Sequence, residues 1–239
     1  MILSDITISI KLVNLILIFF CIFIAVAGYF RKLIDFKSLI FTCFFAIFFI
    51  YFFPLYWFAS LLILYITTSF ATHYKREYKI VAHRKGRELK NLFSNLLPSL
   101  LFSFFYLFFP DKIIYFAFLC GISCACSDTL ASEIGQLSRK NPRLITTFEE
   151  VKTGTEGGVS YYGLFSGFMG ALLVSIPAIY VNINLFILST LIGFIGCNID
   201  SFVGAKFELK RKCSNETTNL IATLSSTILG LIIFVLLLS

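Results

Sequence analysis

The sequence predicts an all-α membrane protein that crosses the bilayer several times. Hydrophobic residues make up 58% of the 239-residue chain, the mean hydropathy is +0.89, and charged residues account for only 14%. These values lie far outside the range of soluble domains of this length. Because a lipid-exposed backbone must satisfy its own hydrogen bonds, each crossing should be a helix.

Eight apolar runs of helical length follow one another along the chain. Pro54 and Pro110 mark two of the boundaries, because proline cannot continue a hydrogen-bonded helix. The first run is long enough to span and to be retained. We expect a single transmembrane domain, 1–239, in which 1–71 forms the less characteristic N-terminal part. The expected spans are 8–29, 38–53, 57–71, 93–109, 113–131, 159–180, 185–205 and 217 to the C-terminus.

Positive charge supports this count of spans. Of the 20 Lys and Arg residues, all except Lys11 and Lys112 fall in loops on one side of the predicted bundle, as the positive-inside rule requires. The termini are therefore expected outside, with the polar loops in the cytoplasm of a prokaryotic cell. The net charge of +7 suits contact with anionic lipid or nucleotide phosphate, although a role in setting the topology alone explains it equally well.

The seven cysteines lie mostly inside apolar runs, where they are expected to act as small packing residues. Cys120, Cys124 and Cys126 form the densest group. Helical spacing places Cys126 far around the helix from the other two, so packing is favoured over a metal site. The sequence implies no disulfide framework.

Two aspartates at the ends of apolar spans are the strongest candidates for function. Asp128 lies near the end of the fifth span and Asp200 lies in the corresponding part of the seventh, and each follows a run of small residues. A carboxylate at membrane depth usually faces a cavity, a cation or a partner. If the two spans are related repeats, both aspartates reach one cytoplasmic pocket, where Mg²⁺ could bridge phosphates.

A polar window between the fifth and sixth spans adds further candidates. Helical spacing puts Ser132 on the face of Asp128, with Glu133 beside it. The glycines and threonines that follow have the composition of a phosphate cradle, whereas Gly163, Gly167 and Gly170 have the spacing of close helix packing. Glu156 is a further candidate catalytic residue, as are Ser132 and Glu133. The candidate phosphate-binding residues here and after Asp200 are Lys140, Arg143, Lys152, Thr153, Thr155, Gly157, Gly158, Ser160 and Ser201.

Amides recur at a spacing of four residues at the entries to the fourth and eighth spans. Two alternatives remain for them, namely hydrogen bonds to neighbouring helices and contact with substrate. The residues concerned are Asn91 and Asn95, with Arg87 at the same spacing before them, at the entry to the fourth span, and Asn215 and Asn219 at the entry to the eighth.

Several of these residues carry a family resemblance. The strings DTLASEIG, PRLITTF, GTEGGVS and IDSFVGA resemble the integral-membrane family that includes the plant phytyl-phosphate kinase, together with uncharacterised members. GRELKNLFSNLLP and NETTNL match weaker blocks. The resemblance covers about residues 84–239, and it is strongest over 128–163.

A more distant likeness is to the dolichol kinase and phytol kinase group. Its Asp-x-x-Ala-Ser-x-x-Gly element matches residues 128–135, and its Lys-Thr-x-Glu-Gly element resembles 152–157, where Thr155 is an insertion. That group typically uses CTP. The likeness implies phosphoryl transfer from a cytoplasmic nucleotide to a membrane-borne polyprenyl acceptor.

The leading hypothesis is therefore a membrane kinase that converts an isoprenoid monophosphate to its diphosphate. Mg²⁺ would bind Asp128 and Asp200, with Glu133 or Glu156 as a further ligand. The expected partners are a nucleoside triphosphate, the isoprenoid phosphate and the lipid bilayer, and no nucleic acid is expected. The alternatives are an ion-coupled transporter or lipid flippase, and a CTP-dependent lipid cytidylyltransferase.

Overall fold

The described residues fold into a bundle of eight α-helices. A computed structural model describes the backbone of residues 2–80 and 88–238, and side chains from residue 11 onwards in those ranges. The helices are α1 (Ile2–Phe30), α2 (Phe36–Phe52), α3 (Leu55–His73), α4 (Leu89–Tyr106), α5 (Lys112–Gly135), α6 (Tyr161–Ser175), α7 (Ile183–Val203) and α8 (Asn215–Leu237).

The prediction of an all-α polytopic membrane protein is confirmed. In the described part of the chain, six helices are long and apolar enough to cross a membrane, and α2 is a shorter apolar helix. The remaining helix, α4, is 18 residues long and carries polar residues in its first half. The division at Pro54 is also confirmed, because α2 ends at Phe52 and Pro54 precedes α3.

Polar side chains before the helices set several of their starting points. Asp35 accepts a 2.7 Å hydrogen bond from the Ser38 amide at the start of α2, and Asp111 accepts one of 2.9 Å from Ile113 at the start of α5. Each bond satisfies an amide that has no partner within the helix. These caps fix where the chain re-enters the bundle after each turn.

Helix α5 is the centre of the bundle. It contacts α3, α4, α6, α7 and α8, and its side chains are buried without interruption from Tyr115 to Ser127. By contrast, α1 exposes large apolar side chains such as Phe19 and Phe23. An apolar exterior of this kind is what a lipid-facing helix requires.

Small residues let α6 approach α5 closely, which confirms the packing predicted for the glycines of α6. A Cβ added at Gly170 would lie 3.0 Å from the carbonyl oxygen of Cys126, and one at Gly167 would lie 3.2 Å from the Cβ of Ala131. A larger residue at either position would separate the helices. The seven cysteines are all free, in agreement with their expected packing role.

The segment between α5 and α6 folds into a small antiparallel hairpin, which the sequence analysis did not predict. Strand β1 (Arg143–Leu144) pairs with β2 (Gly158–Val159). The Ile145 amide also donates to the carbonyl oxygen of Gly157. This hairpin holds the glycine-rich turn against the end of the bundle at which α5 and α7 terminate.

Candidate functional site

A polar cavity of about 230 Å³ lies where α5 and α7 end and α6 and α8 begin. It gathers most of the residues that the sequence singled out. Among the predicted site residues, its lining includes Asp128, Ser132, Glu133, Thr153, Thr155, Glu156, Gly157, Gly158, Ser160, Asp200, Ser201 and Asn215. The polar window and the Asp200 segment therefore form one site, as expected for aspartates at corresponding ends of two spans.

The carboxyl groups of Asp128 and Asp200 are close enough to interact directly. Oδ1 of Asp200 is buried, and no group among the described residues forms a hydrogen bond with it. Two carboxylates in contact repel each other unless a proton or a cation lies between them. An orphaned buried oxygen beside a second carboxylate is therefore a suitable position for a bound cation.

The packing of α7 on α5 brings the two aspartates together. Gly193 lies against Ser123, and Gly196 lies against the side chain of Cys124. With no side chains at these glycines, the helix axes can approach closely enough for their terminal carboxylates to meet. The run of small residues before each aspartate thus has a structural role in forming the cavity.

The glycine-rich turn supplies a third carboxylate. Gly157 has a φ of 74°, in the left-handed region that favours glycine. A Cβ added there would lie 2.5 Å from the amide nitrogen of Ala205, directly after α7. This close docking holds the neighbouring Glu156 within electrostatic range of Asp128 and Asp200.

The environment of Glu156 disfavours its charged form. The residue as a whole is exposed, but its carboxylate is partly desolvated where it lines the cavity. This desolvation, and then the nearby charge of Asp128, raise the pKa of Glu156 above its ordinary value. A cation bound nearby, at Asp128 and Asp200, would favour the charged form of Glu156 and so oppose both effects.

Glu133 also lines the cavity, but its two oxygens are committed elsewhere. Oε2 lies 2.8 Å from the ammonium group of Lys79, and Oε1 accepts a 2.9 Å hydrogen bond from the hydroxyl of Thr72. A metal at Glu133 would have to share the carboxylate with the ammonium group of Lys79, which is also positively charged. These contacts favour a structural role for Glu133 in the ion pair, and the metal-binding and catalytic roles expected for it from the sequence stay predictions.

Hydroxyl and amide groups on the cavity wall are partly engaged in local structure. Ser160 caps α6 by accepting from the Gly163 amide at 3.1 Å, and Ser132 donates to the carbonyl oxygen of Thr129. Asn219 lies outside the lining and donates to Oδ1 of Asn215 at 2.8 Å. The amide pair in α8 therefore forms a hydrogen bond within its own helix and presents Asn215 to the cavity.

The predicted phosphate-binding bases lie outside the cavity. Lys140, Arg143 and Lys152 are exposed on the hairpin segment, and the Arg143 guanidinium donates to the carbonyl oxygen of Phe148. None of the described Lys or Arg residues lines the cavity. The wall is thus acidic, so a bound phosphate would need a cation to screen it.

The amides of α4 are also separate from the polar cavity. Asn95 lines a second, apolar cavity, and its amide group donates to the carbonyl oxygen of Asn91. Asn91 lies in the first turn of α4. Arg87, the remaining candidate at this helix entry, lies outside the described residues.

Sequence reasoning missed three residues of the site region. Gln136 and Asn198 line the cavity, and Lys79 forms the buried ion pair behind it. Asn198 lies in the same polar segment as Asp200, so its spacing from that aspartate could have predicted that it belongs to the site. Lys79 had no such signal, because it is one of many basic residues in the same loop of the sequence.

The donor set fits a magnesium ion. Within the part of the chain that is described, no group of three or more His, Cys, Asp or Glu side chains is arranged as a complete metal site. Mg²⁺ does not require one, since it commonly binds one or two carboxylates and completes its shell with phosphate oxygens and water. Asp128 and Asp200 supply such a pair.

The fold and the site define a polytopic helical membrane protein with a carboxylate-lined cavity at one end of its bundle. A family model described as integral membrane protein DUF92 matches residues 19–233. The chain belongs to this family. The match begins well before residue 84, where the recognisable motifs start.

Individual relatives agree with this assignment. The chain is 40% identical over 151 residues to an uncharacterized membrane protein of Methanocaldococcus jannaschii, which spans 62% of this chain and 63% of the relative. It is 36% identical over 106 residues to Protein PGR of Arabidopsis thaliana, covering 38% of this chain and 37% of that protein. A third relative is the chloroplastic Protein VTE6 of Arabidopsis thaliana, 29% identical over 120 residues, with 46% and 35% covered.

Each match therefore spans less than two thirds of the relative's own length. No solved structure matches the chain. The shared family confirms the resemblance seen in the motifs.

Proposed function

We propose that the protein is a membrane phosphotransferase that moves a phosphoryl group from a nucleoside triphosphate to an isoprenoid monophosphate, giving the diphosphate. The observation that carries this proposal is the contact between Asp128 and Asp200 inside a polar cavity at the end of an apolar bundle. Phosphoryl transfer depends mainly on positioning and on stabilisation of charge. A cation held by the two carboxylates would stabilise charge, and the backbone amides of the neighbouring glycine-rich turn would help to position the phosphates.

Asp128 and Asp200 would hold Mg²⁺, with Glu156 as a third acidic neighbour. The ion would neutralise phosphate oxygens and make the acidic wall compatible with an anionic substrate. Oδ1 of Asp200 supports this assignment, because it is buried without a hydrogen-bond partner among the described groups. Glu133 is not part of the proposed metal site.

The remaining cavity residues would bind and orient the two phosphate groups. Thr153, Thr155 and Ser201 supply hydroxyl donors, and the turn at Gly157 and Gly158 supplies backbone that a ligand can approach closely. The exposed bases of the hairpin, Lys140, Arg143 and Lys152, would attract the nucleotide towards the cavity through their longer-range field. Because the acceptor phosphate is already ionised, no strong general base is needed.

The donor is proposed to be CTP, on the basis of the motif likeness to the dolichol kinase and phytol kinase group. The active site is proposed to face the cytoplasm, because the basic loops lie at the same end of the predicted topology as the polar cavity. A transporter would instead place its polar site near the midplane with access to both sides. The position of this cavity at one end favours the enzyme.

The test is a transfer assay with protein purified in detergent. The protein is incubated with phytyl or farnesyl monophosphate, Mg²⁺ and γ-labelled CTP or ATP, and the lipid products are separated. We expect labelled prenyl diphosphate and free CDP. An unlabelled lipid product with release of labelled pyrophosphate would identify a cytidylyltransferase, and the absence of transfer from either nucleotide to either acceptor would refute the kinase proposal.

A further inference from the structure

An apolar cavity of about 120 Å³ lies between α1, α2, α3, α4 and α5. Its volume is far above the roughly 10–15 Å³ that one water molecule requires. Aliphatic and aromatic side chains form most of its wall. Representative lining residues from the five helices are Ala25, Phe45, Leu61, Leu96 and Ala125.

The apolar cavity adjoins the polar site on the central helix. Thr129 of α5 lines the apolar cavity, whereas Asp128 and Ser132 line the polar cavity. Successive residues of an α-helix are about 100° apart, so these three side chains fall within an arc of about 100°. The two cavities therefore lie side by side along one part of the α5 surface.

The apolar cavity reaches the end of the bundle at which the polar cavity lies. Along α3 the lining of the apolar cavity runs from Phe58 to Thr72, and it includes Leu92 near the start of α4. Its upper limit is therefore near the end of α3, although the cavity also extends far along the bundle. The polar cavity is lined by the end of α5 and of α7 and by the start of α6 and α8. Since adjacent helices alternate in direction, these ends coincide.

A hydrogen bond joins the walls of the two cavities. Thr72 lines the apolar cavity, and its hydroxyl donates at 2.9 Å to Glu133, which lines the polar cavity. Other side chains with polar groups also line the apolar cavity, and several of them belong to the last two turns of α3 or to neighbouring α5; they are Thr42, Tyr65, Thr68, Ser69, Asn95 and Thr129. The apolar cavity therefore becomes polar where it meets the phosphate site.

We infer that the apolar cavity binds the hydrocarbon tail of the acceptor whose phosphate occupies the polar cavity. This inference rests on the proposed function. Only a molecule with one anionic head and one apolar chain would occupy both the polar cavity and the apolar cavity. The tail would run from the Asp128 region between α3 and α4, towards the Phe-rich α2, and would be shielded from the surrounding lipid by α1 and α2.

Filling the cavity is the direct test. Ala46 lines it from α2, whereas Ile40 of the same helix is 56% exposed. Ala46→Phe should raise KM for farnesyl monophosphate about tenfold, the scale on which apolar pockets discriminate a methylene group. The same variant should leave kcat/KM for isopentenyl monophosphate unchanged, and Ile40→Phe should leave both acceptors unchanged. Equal losses for the long and the short acceptor, or no loss at all, would refute the inference.

A binding measurement separates this inference from the proposed catalysis. A farnesyl monophosphate analogue with a diazirine in its terminal isoprene unit is photolysed with the unaltered protein, and the labelled peptides are mapped. Labels on α2 and α3 that unlabelled farnesyl monophosphate displaces would support the tail site even if no phosphoryl transfer were found. Labels confined to the outer faces of α1 and α8, or labels that are not displaced, would refute it even if transfer were found.

Discussion

The ammonium group of Lys79 lies 2.8 Å from Oε2 of Glu133, with the lysine side chain fully buried and the glutamate side chain 5% exposed. Lys79 also donates to the carbonyl oxygens of Ala71 and Thr72, which end α3 without helical partners. One side chain thus closes the end of α3 and fastens the following loop to α5. The pair stands directly behind the polar cavity.

Breaking this pair should destabilise the fold strongly. Lys79→Met leaves the Glu133 carboxylate buried without its counter-ion, and removal of one partner of a buried ion pair costs about 3–5 kcal/mol. We expect a clearly lower Tm in detergent, measured by the loss of the monodisperse peak after heating. Lys75→Met, at an exposed lysine in the same loop, should change stability by less than about 0.5 kcal/mol.

A second substitution distinguishes lost pairing from lost packing. Lys79→Met combined with Glu133→Gln removes both charges, so the cost of an unpaired buried charge disappears. The double variant should recover at least half of the lost Tm. Equal instability of the single and double variants would show that the ion pair is not the source of the effect.

Neutralising either central aspartate should lower the transfer activity without lowering the stability of the fold. Asp128→Asn and Asp200→Asn keep the side-chain shape but remove a carboxylate from the proposed cation site. Transfer should fall by about 10²-fold or more, as it does when one charge-stabilising group is removed. Without Mg²⁺, the Tm should remain equal or rise, because repulsion between the two carboxylates is relieved.

The measurement is the CTP transfer assay together with a Tm in EDTA and in excess Mg²⁺. The unaltered protein should gain stability from Mg²⁺, since a ligand that binds only the folded state shifts unfolding. The two variants should lose that gain, whereas Glu149→Gln, at an exposed hairpin residue, should keep it. Mg²⁺ stabilisation that persists in both aspartate variants would rule out the proposed ligands.

Docking of the glycine-rich turn against α7 provides a third prediction. Gly157→Ala adds a Cβ against Ala205 and also strains a residue with a φ of 74°, at a cost of about 1–3 kcal/mol for the backbone alone. The turn should shift away from α7 and carry Glu156 with it. We expect a large loss of transfer activity with only a small change in global Tm.

Gly154→Ala is the matched control for this clash. Gly154 also has a positive φ, 88°, but a Cβ there meets no close neighbour among the described residues. Gly154→Ala therefore introduces similar backbone strain in the same turn, but its added Cβ does not contact the segment at the end of α7. Activity should be lost much more in Gly157→Ala than in Gly154→Ala, and equal losses would mean that strain, rather than docking, explains both.

The sequence predicted the features that follow from continuous local patterns. Apolar runs and prolines placed the eight helices, because both act through the local chain. Asp128 and Asp200 could be identified because a carboxylate is conspicuous in an apolar helix. Lys79 could not, since its burial depends on how the loop after α3 folds back onto α5. The hairpin was missed for a related reason, because strands of two residues have no alternating pattern to detect.

The position of the basic residues was another limit of sequence reasoning. Lys140, Arg143 and Lys152 stand beside the glycine-rich turn in the chain, and proximity in sequence suggested a shared phosphate site. The hairpin instead directs them to solvent while the turn docks on α7. The direction in which the side chains of a turn point is set by tertiary contacts. The charge composition of the segment alone could therefore not reveal that the cavity wall is acidic.

The raised pKa of Glu156 predicts a pH dependence of stability with a defined sign. Its pKa in the folded protein is above the ordinary value of 4.5, so the folded state binds the proton more tightly than the unfolded state. In EDTA, its contribution to stability is complete below pH 4.5 and is lost as the pH rises through the folded pKa. Tm of the unaltered protein should therefore fall over that window relative to Glu156→Gln, which does not titrate.

Magnesium should reverse this trend. The cation favours the ionised carboxylate, so the Tm increase produced by Mg²⁺ should grow as the pH rises and Glu156 loses its proton. Both series can be recorded as Tm against pH, with and without Mg²⁺, for the unaltered protein and for Glu156→Gln. Parallel curves for the two proteins in EDTA would show that Glu156 has no perturbed titration, and its place beside Asp128 in the cavity would then have to be reconsidered.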